Sequence, residues 1–188
     1  MYYVWTIARN FPNSCWLKYD WDNNPDYLQF FENKRINIDC DINFYLQKKT
    51  NRNTFSKFDY VMSDAIPLVS KKLSDIILEY AVNDVQLIEV KIFQNEDFID
   101  NYYIPIALQV IDCIDKKKSI FDKEIDDFTK IIFKPNSLEN IIVAKAKGYE
   151  NSDFIVQETF VKICNKEKIK GIEFFKEPYI NPLYTAEA

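Results

Sequence analysis

Residues 68–93 read LVSKKLSDIILEYAVNDVQLIEVKIF, and residues 155–175 read IVQETFVKICNKEKIKGIEFF. The first stretch is a helix followed by a strand. Ser70 stands where a side-chain oxygen can accept the free N–H groups of a first helical turn. Leu73, Ile76, Ile77, Tyr80 and Ala81 recur at the i, i+3, i+4, i+7, i+8 spacing of one buried helix face. Lys71, Lys72, Asp75 and Glu79 turn away from that face. The spacing predicts a helix that ends near Asn83-Asp84. Val85 to Phe93 then alternates as a strand does, with 85, 87, 89, 91 and 93 on one face and Ile88, Val90 and Ile92 on the other. Apolar residues on both faces predict a strand largely covered on both sides.

The second stretch follows the same plan. Adding 87 to the earlier numbers places Val69 on Val156, Leu73 on Phe160, Ile76 on Ile163, Ile77 on Cys164, Val85 on Ile172 and Leu87 on Phe174. Either the chain carries an internal helix–strand repeat, or two short amphipathic units coincide.

Further from these units the signals are shorter. Tyr3 to Ile7 reads as a strand, as does part of Asn37 to Tyr45. Phe11–Ser14, Asp22–Pro25 and Pro135–Ser137 read as turns, because Asn, Asp and Pro favour turn geometry. Gln94 to Asn101 reads as a polar connection. Tyr102 to Ile106 reads as a strand that Pro105 pushes toward an edge or a bulge. Phe128 to Phe133 and Ile141 to Val143 complete the set. Strands interleaved with few helices predict a single α+β domain with a mixed, mainly antiparallel sheet and a few packed helices. Residues 1–58 read as an aromatic-rich N-terminal extension or subdomain, and residues 59–188 as the main α+β domain.

Composition narrows the function. The 188 residues include no histidine, two glycines and four cysteines. Without histidine, Ser-His-Asp and Cys-His catalytic sets are excluded. Without neighbouring glycines, so are phosphate loops and dinucleotide fingerprints. The cysteines form no CxxC pair and read as buried free thiols. No apolar run approaches the roughly 20 residues that span a bilayer. Met1 to Arg9 lacks the regions of a secretory signal, so a cytoplasmic location without membrane attachment is expected. Residues 1–58 carry 8 Lys/Arg against 6 Asp/Glu, a net of +2, and residues 59–188 carry 16 against 23, a net of −7. That acidic balance argues against a nucleic-acid partner and suits a basic protein partner.

Two groups of residues stand out as contact candidates. Asp122, Glu124, Asp126 and Asp127 crowd one short stretch, downstream of Asp112 and Asp115. They read as a solvated charged loop, with a carboxylate metal site and metal-dependent catalysis as the alternative. Trp16, Tyr19 and Trp21 head an aromatic group that extends to Phe31. It reads as a satellite core or as a recognition surface, since Trp and Tyr are enriched at binding hot spots. Self-association through this group is a further alternative.

One family likeness joins these segments. It is carried by Asp59-Tyr60, by the PLVS-x-x-L start at Pro67 to Leu73, by Val85 to Phe93, and by Tyr102 to Asp115, with its Y-x-I-x6-I-D-C-I-D pattern, followed by Ser119. Phe154 to Val156 and Gly171 to Phe174 close it. The chain thus resembles the myxobacterial-type immunity protein domain of bacterial polymorphic toxin systems over about its last two-thirds. It departs from that pattern at Gln157, where a serine would lead the second helix, and at Pro105 or Ile106, where an asparagine is expected. The resemblance implies an antitoxin that binds a cognate protein toxin and blocks it sterically. It implies no catalysis and no cofactor, and leaves the oligomeric state and the contact residues open.

Overall fold

The computed structural model describes residues 1–124, 126–149 and 153–180. In chain order its elements are β1 (Tyr2–Ile7), β2 (Leu17–Tyr19), β3 (Asn43–Leu46), α1 (Arg52–Phe55), β4 (Tyr60–Val61), β5 (Leu68–Ser70), α2 (Lys71–Tyr80), β6 (Val85–Gln94) and β7 (Asp97–Ala107). There follow β8 (Val110–Ile111), β9 (Ile120–Asp122), β10 (Asp127–Ile131), β11 (Val143–Ala146), β12 (Phe154–Gln157), α3 (Glu158–Lys166), β13 (Ile172–Lys176) and β14 (Tyr179–Ile180). Short 3-10 turns occupy Asn13–Cys15 and Tyr27–Phe31. The fold is α+β, as the sequence predicts. Its sheets run β2-β3-β6-β7-β5-β4, β13-β1-β12-β11-β8 and β14-β10-β9. Pairing is mainly antiparallel, with parallel joins at β3–β6 and β11–β8.

The repeat is physical. α2 starts at Lys71 and α3 at Glu158, an offset of 87, and β6 and β13 start at Val85 and Ile172 with the same offset. In each unit a strand enters a helix, and the chain returns one strand away. β7 lies between β5 and β6, and β1 lies between β12 and β13, antiparallel to both neighbours in each case. Leu73, Ile76 and Ile77 of α2 and Phe160, Val161 and Cys164 of α3 share one core with the fully buried Trp5. The indole lies 4.8 Å from Phe154, 5.2 Å from Tyr60 and 5.5 Å from Phe160, centroid to centroid. Residues 1–58 supply β1 to the second unit and β2 and β3 to the six-stranded sheet.

Asp59 and Gly171 pin the two units together. The Asp59 carboxylate accepts from Ser70 Oγ at 2.7 Å and from Lys170 N at 2.9 Å. Lys170 O accepts from the Asp59 and Tyr60 N–H groups. Gly171 has φ +86, and a Cβ there would lie 2.2 Å from Tyr60 O. Only glycine allows this approach.

The six-stranded sheet closes on itself. Leu17 N donates to Met62 O, and Asp64 N donates to Leu17 O, so β2 meets the segment after β4. Phe44, Leu46, Phe55, Ile92, Ile104 and Ile106 fill the interior. On the other side of β1 and β12, Val4 and Ile155 pack with Ile114, Phe128 and Phe133 and so hold the three-stranded sheet.

Several local expectations are corrected. α2 ends at Tyr80, because Ala81 leaves helical geometry at φ −137. Tyr80 is therefore exposed, while Ser74 is buried and donates to Lys71 O. Gln94 to Asn101 is a tight hairpin with Asn95 at φ +58, and β7 already begins at Asp97. Pro105 lies in an internal strand opposite Leu87. β5 pairs with β7 only at Tyr102 and Tyr103, so β7 has one strand neighbour at the proline. Cys15, Cys113 and Cys164 are buried, and burial pushes the last two thiols up to about 12. Cys40 is exposed rather than buried.

Candidate functional site

The acidic run falls on the β9–β10 hairpin. Asp122 Oδ1 accepts from Glu124 N at 2.9 Å, and Asp127 Oδ1 accepts from Phe128 N at 2.7 Å. Asp126 adopts φ +53 in the turn. These carboxylates shape the turn, while Glu124 and Asp126 stay exposed. β9 is an edge strand, and its Ile120 and Phe121 are exposed beside them. Asp112 pairs with Lys134 at 2.7 Å, and this pairing holds its carboxyl below the usual range. Asp115 pairs with Lys118. Among the described residues no three Cys, Asp or Glu side chains converge as a metal-ligand set.

Of the aromatic candidates Tyr19 lies in β2, Trp16 stands just before the strand and Trp21 in the turn after it. Tyr19 points inward and is 3% exposed. Its hydroxyl donates to Pro25 O at 2.6 Å, and burial pushes its pKa up to about 12. Trp21 is 54% exposed and rests edge-on against Tyr19 and Tyr27. Asp64 fixes this corner by accepting from Tyr19 N at 2.8 Å and from Trp21 Nε1 at 3.2 Å. Trp16 is partly exposed and shares the outward side of the strand with Lys18, two residues on.

From Trp21 the aromatic run continues through Tyr27 to Phe31 and reaches a cavity of about 560 Å³. Tyr27, Leu28 and Phe31 line it together with Val110, Lys145 and Tyr149. Lys145 Nζ donates to Asp153 O at 2.7 Å and lies 4.4 Å from the Phe154 ring centroid. Burial lowers the Lys145 pKa to about 7, against the opposing pull of the Asp153 carboxylate. Tyr149 donates to Asp153 at 3.1 Å.

A third surface is not evident from the sequence. On the outer face of the closed sheet, register sets Lys18 opposite Tyr45, Tyr45 opposite Phe93, and Phe93 opposite Phe98. The rings lie 6.0 and 6.4 Å apart. Tyr45 and Phe98 are 44% and 52% exposed. Tyr45 OH donates to Asp20 Oδ2 at 3.0 Å, which orients the ring. Contiguous apolar surface rimmed by polar groups is typical of protein contact sites. The available signal was strand alternation around Tyr45 and Phe93, but pairing across strands is not written in either stretch alone.

A family model described as Immunity protein family (Imm11) matches residues 18–177. No curated protein matches the chain.

Proposed function

Because the chain belongs to the Imm11 immunity protein family, we propose that it binds a cognate bacterial toxin and neutralises it by steric occlusion. It acts in the cytoplasm of the cell that makes the toxin, within a polymorphic toxin system. Binding alone suffices, so the chain needs no cofactor and carries out no reaction. Family membership is the observation that carries this reading, and the exposed surfaces support it.

In this reading the toxin contacts comprise the exposed rings of Trp16 and Trp21 and the ladder of Tyr45, Phe93 and Phe98. Tyr19 supports Trp21 from beneath. The acidic turn of Asp122, Glu124, Asp126 and Asp127 steers a basic part of the toxin toward the complex, which raises the rate of association more than the final affinity. Large aromatic anchors inside a polar rim are the usual carriers of binding energy.

Co-expression with each toxin domain encoded beside this gene tests the proposal. The expected result is rescue of growth and recovery of a stoichiometric complex. Toxicity that persists with both proteins folded and present overturns it.

A further inference from the structure

We infer that the groove beside the aromatic ladder receives an acidic segment of the partner protein. The segment's carboxylates lie between Lys18 and Lys48, and its apolar side chains lie on Tyr45, Phe93 and Phe98. The inference rests on the toxin-binding reading and assigns the chemistry of that contact.

The groove has a volume of about 400 Å³ and is lined by Lys18, Tyr45, Lys48, Phe93 and Asn95, with Leu46 and Gln47 at its side. Among the described residues no carboxylate lines it. Lys71, Lys91, Lys118, Lys134 and Lys162 each pair with an acidic side chain. Among the described residues Lys18 and Lys48 have no such partner. In a chain of net charge −5, two ammonium groups without an acidic partner share one groove lining with exposed aromatic rings. Asp20 is not among the lining residues, and its carboxylate is occupied by the Tyr45 hydroxyl and the Asn23 amide.

The occupant therefore needs negative charge and apolar surface together. A long polyanion such as RNA suits the groove poorly, because the acidic remainder of the chain repels it and phosphate binding requires a wider basic footprint. A short acidic stretch of protein, flanked by aliphatic or aromatic residues, meets both demands. The positive groove and the acidic β9–β10 turn then engage oppositely charged parts of one partner, which fixes its orientation.

The test measures binding of the neighbouring toxin domain to the full chain by calorimetry. The doubly substituted Lys18→Glu/Lys48→Glu chain is expected to bind about 10-fold more weakly or worse. Lys57→Glu/Lys166→Glu makes the same charge change elsewhere and is expected to bind as the unsubstituted chain does. Phe98→Ser, at an exposed position, is expected to weaken binding without lowering the melting temperature. Equal binding by the unsubstituted and Lys18→Glu/Lys48→Glu chains overturns the groove assignment and leaves the immunity reading intact. If the toxin domain binds none of them, the immunity reading fails, and a random-peptide library displayed on phage and panned on the full chain decides the groove. Selected peptides that combine Asp or Glu with apolar residues, and that lose binding to Lys18→Glu/Lys48→Glu, uphold the assignment. Basic or neutral selected peptides overturn it, as does tighter binding of poly-uridylate RNA than of any peptide.

Discussion

The two strand–helix–strand units share a frame and differ in what surrounds it. In the first, β6 and β7 run for ten and eleven residues, far beyond the part that packs on α2. In the second, β13 has five residues and β1 six. The surplus length of the first unit carries Phe93 and Phe98 out to the sheet face where Tyr45 meets them. The helix starts differ as well. Ser70 accepts from Leu73 N and caps α2. Gln157 makes no cap and instead donates to Leu138 O at 2.6 Å and Ile141 O at 2.8 Å, holding the segment before β11. The common frame thus supplies the core, and the features found in only one unit serve other tasks.

The comparison breaks most completely at its shared centre. Trp5→Ala removes the ring that packs on Phe160 of α3 within the core that α2 shares, and is expected to cost about 4 kcal/mol of stability. Urea unfolding gives the value, and hydrogen exchange should report lost protection in α2 and α3 together. Loss confined to α3 would mean that the two units do not share one core.

The glycines come next. Gly171→Ala brings a methyl group against Tyr60 O at a left-handed backbone position and is expected to cost more than about 2 kcal/mol. Gly148 also has positive φ, but an added methyl there meets open space. Gly148→Ala should cost about 1 kcal/mol. Similar melting temperatures for the two variants would remove Gly171 as the pin between the units.

A pH experiment sharpens the contrast further, since Lys145 belongs to the second unit's sheet. The folded state releases its proton near pH 7 and the unfolded chain near the ordinary 10.5. Between those values the unfolded chain keeps the Lys145 proton that the folded state has released, so the contribution of Lys145 to stability rises with pH across the window, while the buried Cys113 and Cys164 thiols act in the opposite direction above their ordinary 9.0. Lys145→Met is expected to flatten that rise, as thermal melts at several pH values would reveal. An unchanged slope would place the lysine in water.

The smallest effects lie at the helix starts. Ser70→Ala should cost about 1 kcal/mol in urea unfolding. Gln157→Ser installs the cap that α3 lacks but gives up two hydrogen bonds to the preceding segment, and no net gain is expected. A clear gain would mean that those two bonds contribute little.

The frame was legible because its signals are local. One helix face and one cap announce α2, and the same apolar spacing 87 residues later announces α3. Tyr80 escaped the pattern because Ala81 breaks the helix before its phase can bury the ring. Phe98 was hidden in what reads as a polar connection, since one left-handed asparagine, Asn95, is enough to turn the hairpin. The groove was not legible at all. Lys18, Tyr45, Phe93 and Phe98 come from four strands, and only sheet register brings them abreast. The acidic run was visible as charge, but its role in forming the β9–β10 turn depends on backbone N–H positions that composition does not reveal.

Calorimetric titration of the purified chain with any toxin domain encoded beside its gene decides whether the chain is an antitoxin that acts by binding. The expected result is a one-to-one complex in which toxin activity is lost in step with binding. An active, unbound toxin domain in the presence of excess folded protein would contradict it.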